Sequence, residues 1–193
     1  MKKILEKTVL YLHKKYGITS ETLSYARMFA APWLALLISK VILDGSFAIG
    51  IITLLLYLGA VKTSFLGKIL IHTLPKKEGG DNWHEETLDK IGDKVLIIFT
   101  LIPFGLNLFT FAIILAESVL LFKAIHSTSH KKANRAETVK MILQALLIPI
   151  LLLEITTNLV PEMVLYAYII ITIVATYIPI YSYYSKFFYV EGE

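Results

Sequence analysis

The chain alternates long apolar runs with short polar segments, and this pattern predicts six membrane-spanning helices. Each run has roughly the 20 mostly apolar residues that a helix needs to cross a bilayer. The predicted spans are Thr22–Leu43, Ser46–Ile71, Thr87–Ile102, Leu106–Ile125, Thr138–Leu159 and Pro161–Ser185. The runs lack the two-residue alternation of barrel strands, so the predicted fold class is all-α. The third run begins in charged sequence, and we expect its first turns to lie at the membrane interface.

The first 16 residues predict a separate amphipathic helix. Apolar side chains fall on one stripe of this segment, and lysines occupy the rest of its surface. Such a helix lies in the plane of the lipid headgroups, where apolar contact and anionic lipid hold it. The alternative is a solvated basic tail. The predicted organisation is one membrane domain over residues 1–193, with the interfacial helix at 1–16 and a six-helix transmembrane bundle at 22–185.

Composition supports the membrane interpretation and excludes several other classes. The 193 residues are 56% hydrophobic and 18% charged and include no cysteine, whereas soluble domains are about 45–50% apolar and about 25% charged. This composition excludes a disordered chain, a disulfide-stapled module and a thiolate metal site.

The distribution of lysine and arginine predicts an orientation. Nearly all of the 19 basic residues lie in or next to the N-terminal segment, the two long connections and the C-terminus. The positive-inside rule then places both termini and both connections in the cytoplasm. The net charge of +4 is explained by this orientation, so no nucleic-acid partner is needed. Any chemistry of this integral membrane protein is expected at its cytoplasmic face.

Acidic residues concentrate between the second and third runs. If the segment is helical, Glu85, Asp89 and Asp93 stand one turn apart on one face. Like charges on one stripe repel each other, so a divalent cation or basic partners must offset them. Oxygen ligands of this kind suit Mg²⁺, Mn²⁺ or Ca²⁺. The alternative is a solvated helix start in which Lys90 and Lys94 pair with the acids.

Three stretches together resemble the CDP-alcohol phosphotransferase family, and phosphatidylglycerophosphate synthase is the closest in pattern. The stretch 88–96, LDKIGDKVL, resembles the second half of the family signature, Gly-x-x-x-Asp-x-x-x-Asp. The stretch 23–27, LSYAR, with Pro32 after it, resembles the first helix of the phosphatidylglycerophosphate synthases. The stretch 138–144, TVKMILQ, resembles the start of their fifth helix. The resemblance implies six membrane helices, an N-terminal interfacial helix and a homodimer.

The resemblance also implies a reaction. Family aspartates hold Mg²⁺ or Mn²⁺, which grips the diphosphate of a lipid such as CDP-diacylglycerol. A small alcohol or alcohol phosphate then displaces CMP. By position, Asp89 would be a metal ligand and Asp93 a ligand or the catalytic base, with Glu85 as a further metal ligand. The candidate substrate-binding residues are Lys140, Lys132, Arg135 and Arg27, although Arg27 also lies close enough to the span end to snorkel.

The first half of the signature, Asp-x-x-Asp-Gly-x-x-Ala-Arg, has no acidic counterpart in this chain. Aligning Gly67 with the family glycine puts Thr63 and Leu66 at the aspartate positions. The usual family spacing puts Lys68 and Ile71 there instead. No aspartate or glutamate occurs anywhere between residues 44 and 78. The sequence therefore departs from the family where two metal ligands are expected.

This departure leaves three interpretations open. Asp81, Glu85 or Glu86 can replace the missing ligands in a rewired site, which keeps the enzyme. Alternatively, the chain is a non-catalytic relative that binds lipid or a partner. A third possibility is a small transporter that uses Glu117 and Asp89 as an ion relay.

Overall fold

The computed structural model describes residues 10–11, 13–73, 83–126 and 135–190. In this part of the chain the structure contains six long α-helices, one 3-10 turn and no strand. The helices are α1 (Ser20–Asp44), α2 (Phe47–Thr73), α3 (Trp83–Leu101), α4 (Leu108–His126), α5 (Arg135–Thr157) and α6 (Glu162–Val190). The prediction of an all-α chain is confirmed, and every apolar run contains a helix whose ends differ from the predicted ends by about one turn.

Five of the described helices are long and apolar enough to cross a membrane. These are α1, α2, α4, α5 and α6, so the described chain has the character of a helical membrane protein. Helix α3 is not one of these five helices, because its first three turns carry the charged side chains predicted for the interface. Of the predicted interfacial helix, residues 10–11 and 13–16 are helical. Its first nine residues lie outside the described part.

Local capping explains where several helices begin and end. Helix α1 starts after Thr19, whose side chain accepts a hydrogen bond from the backbone N–H of Thr22 at 3.2 Å. It ends at Gly45, which has a φ of 60° in the left-handed region that favours glycine. Helix α4 begins after Asn107, whose Oδ1 accepts from the N–H groups of Phe109 and Thr110, both at 3.0 Å. These caps satisfy backbone donors that a helix start leaves unpaired.

Helix α1 lies at the centre of the bundle and makes its largest contacts with α3 and α2. Its buried side chains Ala31, Leu34, Ile38 and Val41 form one stripe of the apolar core. Helix α4 packs against α3, and α6 packs against α5 and α4. The N-terminal half of α1, the C-terminal half of α2 and the first turns of α3 therefore meet at one end of the bundle, where the charged residues lie.

At the other end of the bundle, α2 approaches α5 through a glycine. A Cβ atom built on Gly50 would lie 2.7 Å from Cγ2 of Thr156. The hydroxyl of Thr156 donates to the carbonyl of Leu152 at 2.7 Å, which fixes the position of the methyl group. Gly59, further along α2, is exposed and has nothing within 4 Å of the same point. The two glycines therefore differ in whether a side chain can be added.

We predict that Gly50→Ala destabilises the protein by about 1–3 kcal/mol, the usual cost of overpacking. Gly59→Ala is the matched control and should be neutral or slightly stabilising, because alanine is the better helix former. The measurement is the unfolding free energy in mixed detergent micelles. Adding Thr156→Ser to Gly50→Ala removes the opposing methyl group and should restore stability. Equal effects of the two glycine substitutions would contradict the close α2–α5 contact.

Candidate functional site

The site is built where α1 and α3 come into close contact. Three polar residues of α1, Ser20, Ser24 and Arg27, are buried on the face toward α3. On α3, Gly92 brings the backbones together, because a Cβ there would lie 3.3 Å from the carbonyl oxygen of Ser24. A glycine opposite small hydroxyl residues is a common way for two membrane helices to approach closely. Polar groups of both helices are thereby held in a space from which water is largely excluded.

The guanidinium of Arg27 occupies the centre of this space. Its side chain is 0% exposed, and its Nη1 donates to Oδ1 of Asp93. Its Nη2 donates to Oδ1 of Asp89 at 2.5 Å and to Oγ of Ser24 at 3.0 Å. Its Nε donates to the carbonyl of Leu23 at 3.4 Å. One planar cation thus bridges two carboxylates that stand one turn apart on α3.

The second oxygen of Asp93 is bound from α2. It accepts hydrogen bonds from Oγ of Ser64 at 3.0 Å and from Nζ of Lys68 at 3.1 Å. The Lys68 side chain is 37% exposed, and its Nζ also lies 2.7 Å from the sulfur of Met141 on α5. Asp93 therefore connects α1 and α2 through α3. We call the set Arg27, Asp89, Asp93, Ser64 and Lys68 the Arg27 cluster.

The Arg27 cluster is balanced in formal charge, since two carboxylates face one guanidinium and one ammonium. Removing charges from water is costly, and only close pairing with good hydrogen bonds offsets that cost. Loss of one partner would leave an uncompensated charge in the interior, which costs about 3–5 kcal/mol. The cluster therefore behaves as one unit in which each ion requires the others.

Three of the predicted site residues lie together in this cluster, namely Asp89, Asp93 and Arg27. Glu85 lies two turns before Asp93 on α3, half-buried, and forms no ion pair within the described residues. Lys140 lies apart from the cluster and binds another acid. Lys132 lies outside the described residues, and Arg135 begins α5 with its side chain outside them.

Two residues of α2 face the carboxylates: Ser64 was not singled out from the sequence, and Gly67 was considered only as the counterpart of the family glycine. Ser64 contacts Asp93, and a Cβ on Gly67 would lie 3.0 Å from Oδ1 of Asp89. These residues have the three-residue spacing of the first two aspartates of the family signature. Both sequence alignments chose other positions, namely Thr63 with Leu66 or Lys68 with Ile71. Which residues of α2 face α3 depends on the rotation of α2 about its axis, which the sequence does not specify.

The residues present do not suit a divalent cation. Among the described residues there is no group of three or more histidine, aspartate or glutamate side chains placed to hold a metal. The two carboxylates that are close together already bind Arg27, and Mg²⁺ requires a nearly complete shell of oxygen ligands. Other oxygens at this site are neutral, such as the hydroxyl of Ser64 and the carbonyl of Leu23, and the buried Oγ of Ser20 has no hydrogen-bond partner among the described residues.

A second polar cluster joins α4, α5 and α6. Oε1 of the buried Glu117 accepts hydrogen bonds from Nζ of Lys140 and Nε2 of Gln144, both at 2.7 Å. Nε2 of Gln144 also lies 3.1 Å from Oγ1 of Thr176. Lys140, expected from the resemblance to hold an anionic substrate, thus has an internal counter-ion. Glu117 and Asp89, the two acids of the ion-relay interpretation, belong to different clusters.

Comparison with known proteins adds no further constraint. No family model, no curated protein and no solved structure matches this chain. The assignment of function therefore depends on the contacts described above.

We predict that Arg27→Met destabilises the protein by about 3–5 kcal/mol, because it leaves the buried Asp89 without a counter-ion and Asp93 with Lys68 alone. Lys40→Met, on the exposed face of the same helix, should change stability by about 0.5 kcal/mol or less. The measurement is again the unfolding free energy in mixed micelles. Combining Arg27→Met with Asp89→Asn should recover much of the loss, since the carboxylate without a counter-ion is then removed and Asp93 stays paired with Lys68. A double variant that is less stable than Arg27→Met would contradict the ion-pair account.

Proposed function

We propose that this chain is a non-catalytic membrane protein of the CDP-alcohol phosphotransferase type. On this proposal it has six spans, with the first turns of α3 at the interface, an N-terminal interfacial helix and both termini in the cytoplasm. It acts by binding, as a lipid-binding or partner subunit, and does not transfer a phosphatidyl group. The observation that carries the proposal is the contact of one guanidinium with both Asp89 and Asp93.

The charge of the Arg27 cluster supports the loss of metal chemistry. In the reaction that the resemblance implies, metal ions neutralise a diphosphate and are themselves held by carboxylates. Here the charge of both carboxylates is already compensated by Arg27 and Lys68. A divalent ion would have to displace the guanidinium, which is buried and held by Ser24 and Leu23 as well. The protein's own cations thus occupy the place of the metal.

The residues of α2 support the same conclusion. On this proposal Ser64 and Gly67, which face Asp93 and Asp89, stand at the positions of the first two signature aspartates, and neither carries a charge. Glu85 takes no part in the cluster, so it does not replace a missing ligand. Both oxygens of Asp93 already accept hydrogen bonds, one from Arg27 and the other from Ser64 and Lys68, which disfavours its use as a base by an incoming hydroxyl group.

We predict that the purified protein in lipid nanodiscs releases no CMP from CDP-diacylglycerol. The assay supplies Mg²⁺ or Mn²⁺ and a panel of alcohols and alcohol phosphates. The rate should equal that of Asp93→Asn, and neither metal should raise the thermal unfolding temperature. Cooperative unfolding of both proteins shows that the samples are folded. CMP release that is lost in Asp93→Asn would contradict the proposal and restore the enzyme interpretation.

We also predict that a metal site can be rebuilt by Ser64→Asp with Gly67→Asp. This variant adds two negative charges beside Asp89 and Asp93, and these charges match that of one divalent ion. It also places a carboxylate near the hydroxyl of Ser20, because Oγ of Ser20 lies 3.7 Å from the position that a Cβ atom of residue 67 would occupy. Mn²⁺ should then raise its unfolding temperature. A dissociation constant one hundredth of the metal concentration corresponds to about 2.7 kcal/mol of stabilisation.

The matched control for this experiment is Thr63→Asp with Leu66→Asp. It adds the same charge to the same turns of α2 but at the positions adjacent to those that face the carboxylates. Mn²⁺ should leave its unfolding temperature unchanged. An equal response of the two variants, or no response of either, would show that Ser64 and Gly67 do not hold the ligand positions of the signature.

A further inference from the structure

Lys62 is a charged residue on the outer surface of a membrane-spanning helix. It lies within the apolar stretch Phe47–Ile71 of α2, is exposed, and forms no hydrogen bond or ion pair with any described residue. Its neighbours on the same face, Leu55, Leu58 and Phe65, are exposed by 65%, 44% and 42%. The ammonium group therefore lies on a surface that is otherwise apolar and suited to contact with lipid.

The depth of Lys62 places it well inside the hydrocarbon. At 1.5 Å per residue its Cα lies about 22 Å from that of Phe47 and about 14 Å from that of Ile71. If this stretch is centred in a hydrocarbon layer of about 30 Å, the Cα is about 10 Å from the nearer boundary. Lys68, six residues later, lies near that boundary, which agrees with its partial exposure beside the Arg27 cluster.

Snorkelling does not bring this ammonium to the headgroups. The four-carbon stem of lysine spans at most about 6 Å from Cα to Nζ, which is shorter than the distance to the boundary. In addition, Cα–Cβ bonds lean toward the N-terminus of a helix, and for α2 that direction is away from the nearer boundary. An unpaired charge at this depth is costly, and such residues normally face a protein partner or a polar cavity.

The surface beside Lys62 allows another helix to come close. Gly59 stands one turn before it on the same face, is exposed, and has nothing within 4 Å of the point where a Cβ would lie. Small residues in membrane helices permit close backbone approach, and polar side chains then bind across the interface. This face of α2 thus allows close backbone approach at Gly59, one turn from the ammonium group of Lys62.

In the part of the chain that the structure describes, a second copy presents no exposed acid at the depth of Lys62. Among the described residues, Asp89 and Glu117 are buried and ion-paired inside the bundle. The exposed acids Asp44 and Glu162 lie at helix ends, away from the middle of a span. A lipid phosphate lies at the headgroup level, beyond the reach of the Lys62 side chain.

We propose that Lys62 is the recognition point for a transmembrane helix of another protein, one that carries a carboxylate within the hydrocarbon. The partner helix packs over Gly59, and its carboxylate accepts hydrogen bonds from the ammonium of Lys62. This inference does not depend on the loss of catalysis, because the α2 face lies outside the Arg27 cluster.

The test uses the full chain in lipid vesicles and synthetic leucine-rich transmembrane peptides that carry one central Asp, Asn or Leu. Association is measured by fluorescence energy transfer. The Asp peptide should bind at least tenfold more tightly than the Leu peptide, and Lys62→Leu should abolish the difference. Gly59→Leu should weaken binding of the Asp peptide, and Lys40→Leu, the control on α1, should leave it unchanged. Thermal unfolding establishes that each variant is folded, and Lys62→Leu should fold normally because Lys62 has no partner among the described residues.

Three results would overturn the proposal. The first is equal binding of the Asp peptide to the wild type and to Lys62→Leu. The second is that the Asp peptide binds no more tightly than the others, while spin-labelled anionic phospholipid shows a motionally restricted population that is lost in Lys62→Leu. This result would identify a lipid phosphate as the occupant. The third is energy transfer between two labelled copies of the chain that Lys62→Leu abolishes, which would identify a homodimer.

Discussion

The pairing of Arg27 with Asp89 and Asp93 is the interaction on which the rest of this end of the bundle depends. It fixes α1 against α3, and through the second oxygen of Asp93 it draws in Ser64 and Lys68 of α2. The close approach at Gly92 is compatible with this pairing, because the polar groups of α1 find partners on α3 instead of water. In an apolar surrounding, a cluster of this kind specifies one relative position of three helices more sharply than interchangeable apolar contacts do.

The helices of this chain were predictable from sequence because span-length apolar runs have almost no alternative in a bilayer. The acids of α3 were equally predictable, since helical spacing alone puts Asp89 and Asp93 on one face. Their partners were not. Arg27 and Lys68 lie far from them along the chain, and a basic residue near the end of a span has the same local sequence whether it snorkels or is buried. Ser64 and Gly67 could be identified only once the rotation of α2 about its axis was known.

Lys140 is a second residue whose position was predictable from sequence but whose partner was not. Its position at the start of the fifth helix agreed with the resemblance, and its pairing with Glu117 could not be identified from the sequence. The pair is made between α4 and α5, and Gln144 ties it to α6. The described bundle therefore contains two sets of paired charges, one that joins α1, α2 and α3 and one that joins α4, α5 and α6. Lys62 differs from both, because nothing in the described chain compensates it.

The Arg27 cluster is buried on the side of α1 and partly exposed to solvent on the side of α2. The side chains of Arg27 and Asp89 are 0% and 4% exposed, whereas those of Asp93 and Lys68 are 21% and 37% exposed. Dissolved ions weaken attractions that solvent can reach and hardly affect those it cannot. Rising ionic strength would therefore weaken the Lys68–Asp93 pair of α2 and hardly change the pairing of α1 with α3. Of the helices that meet at this cluster, α2 is consequently the one whose ionic attachment depends on salt.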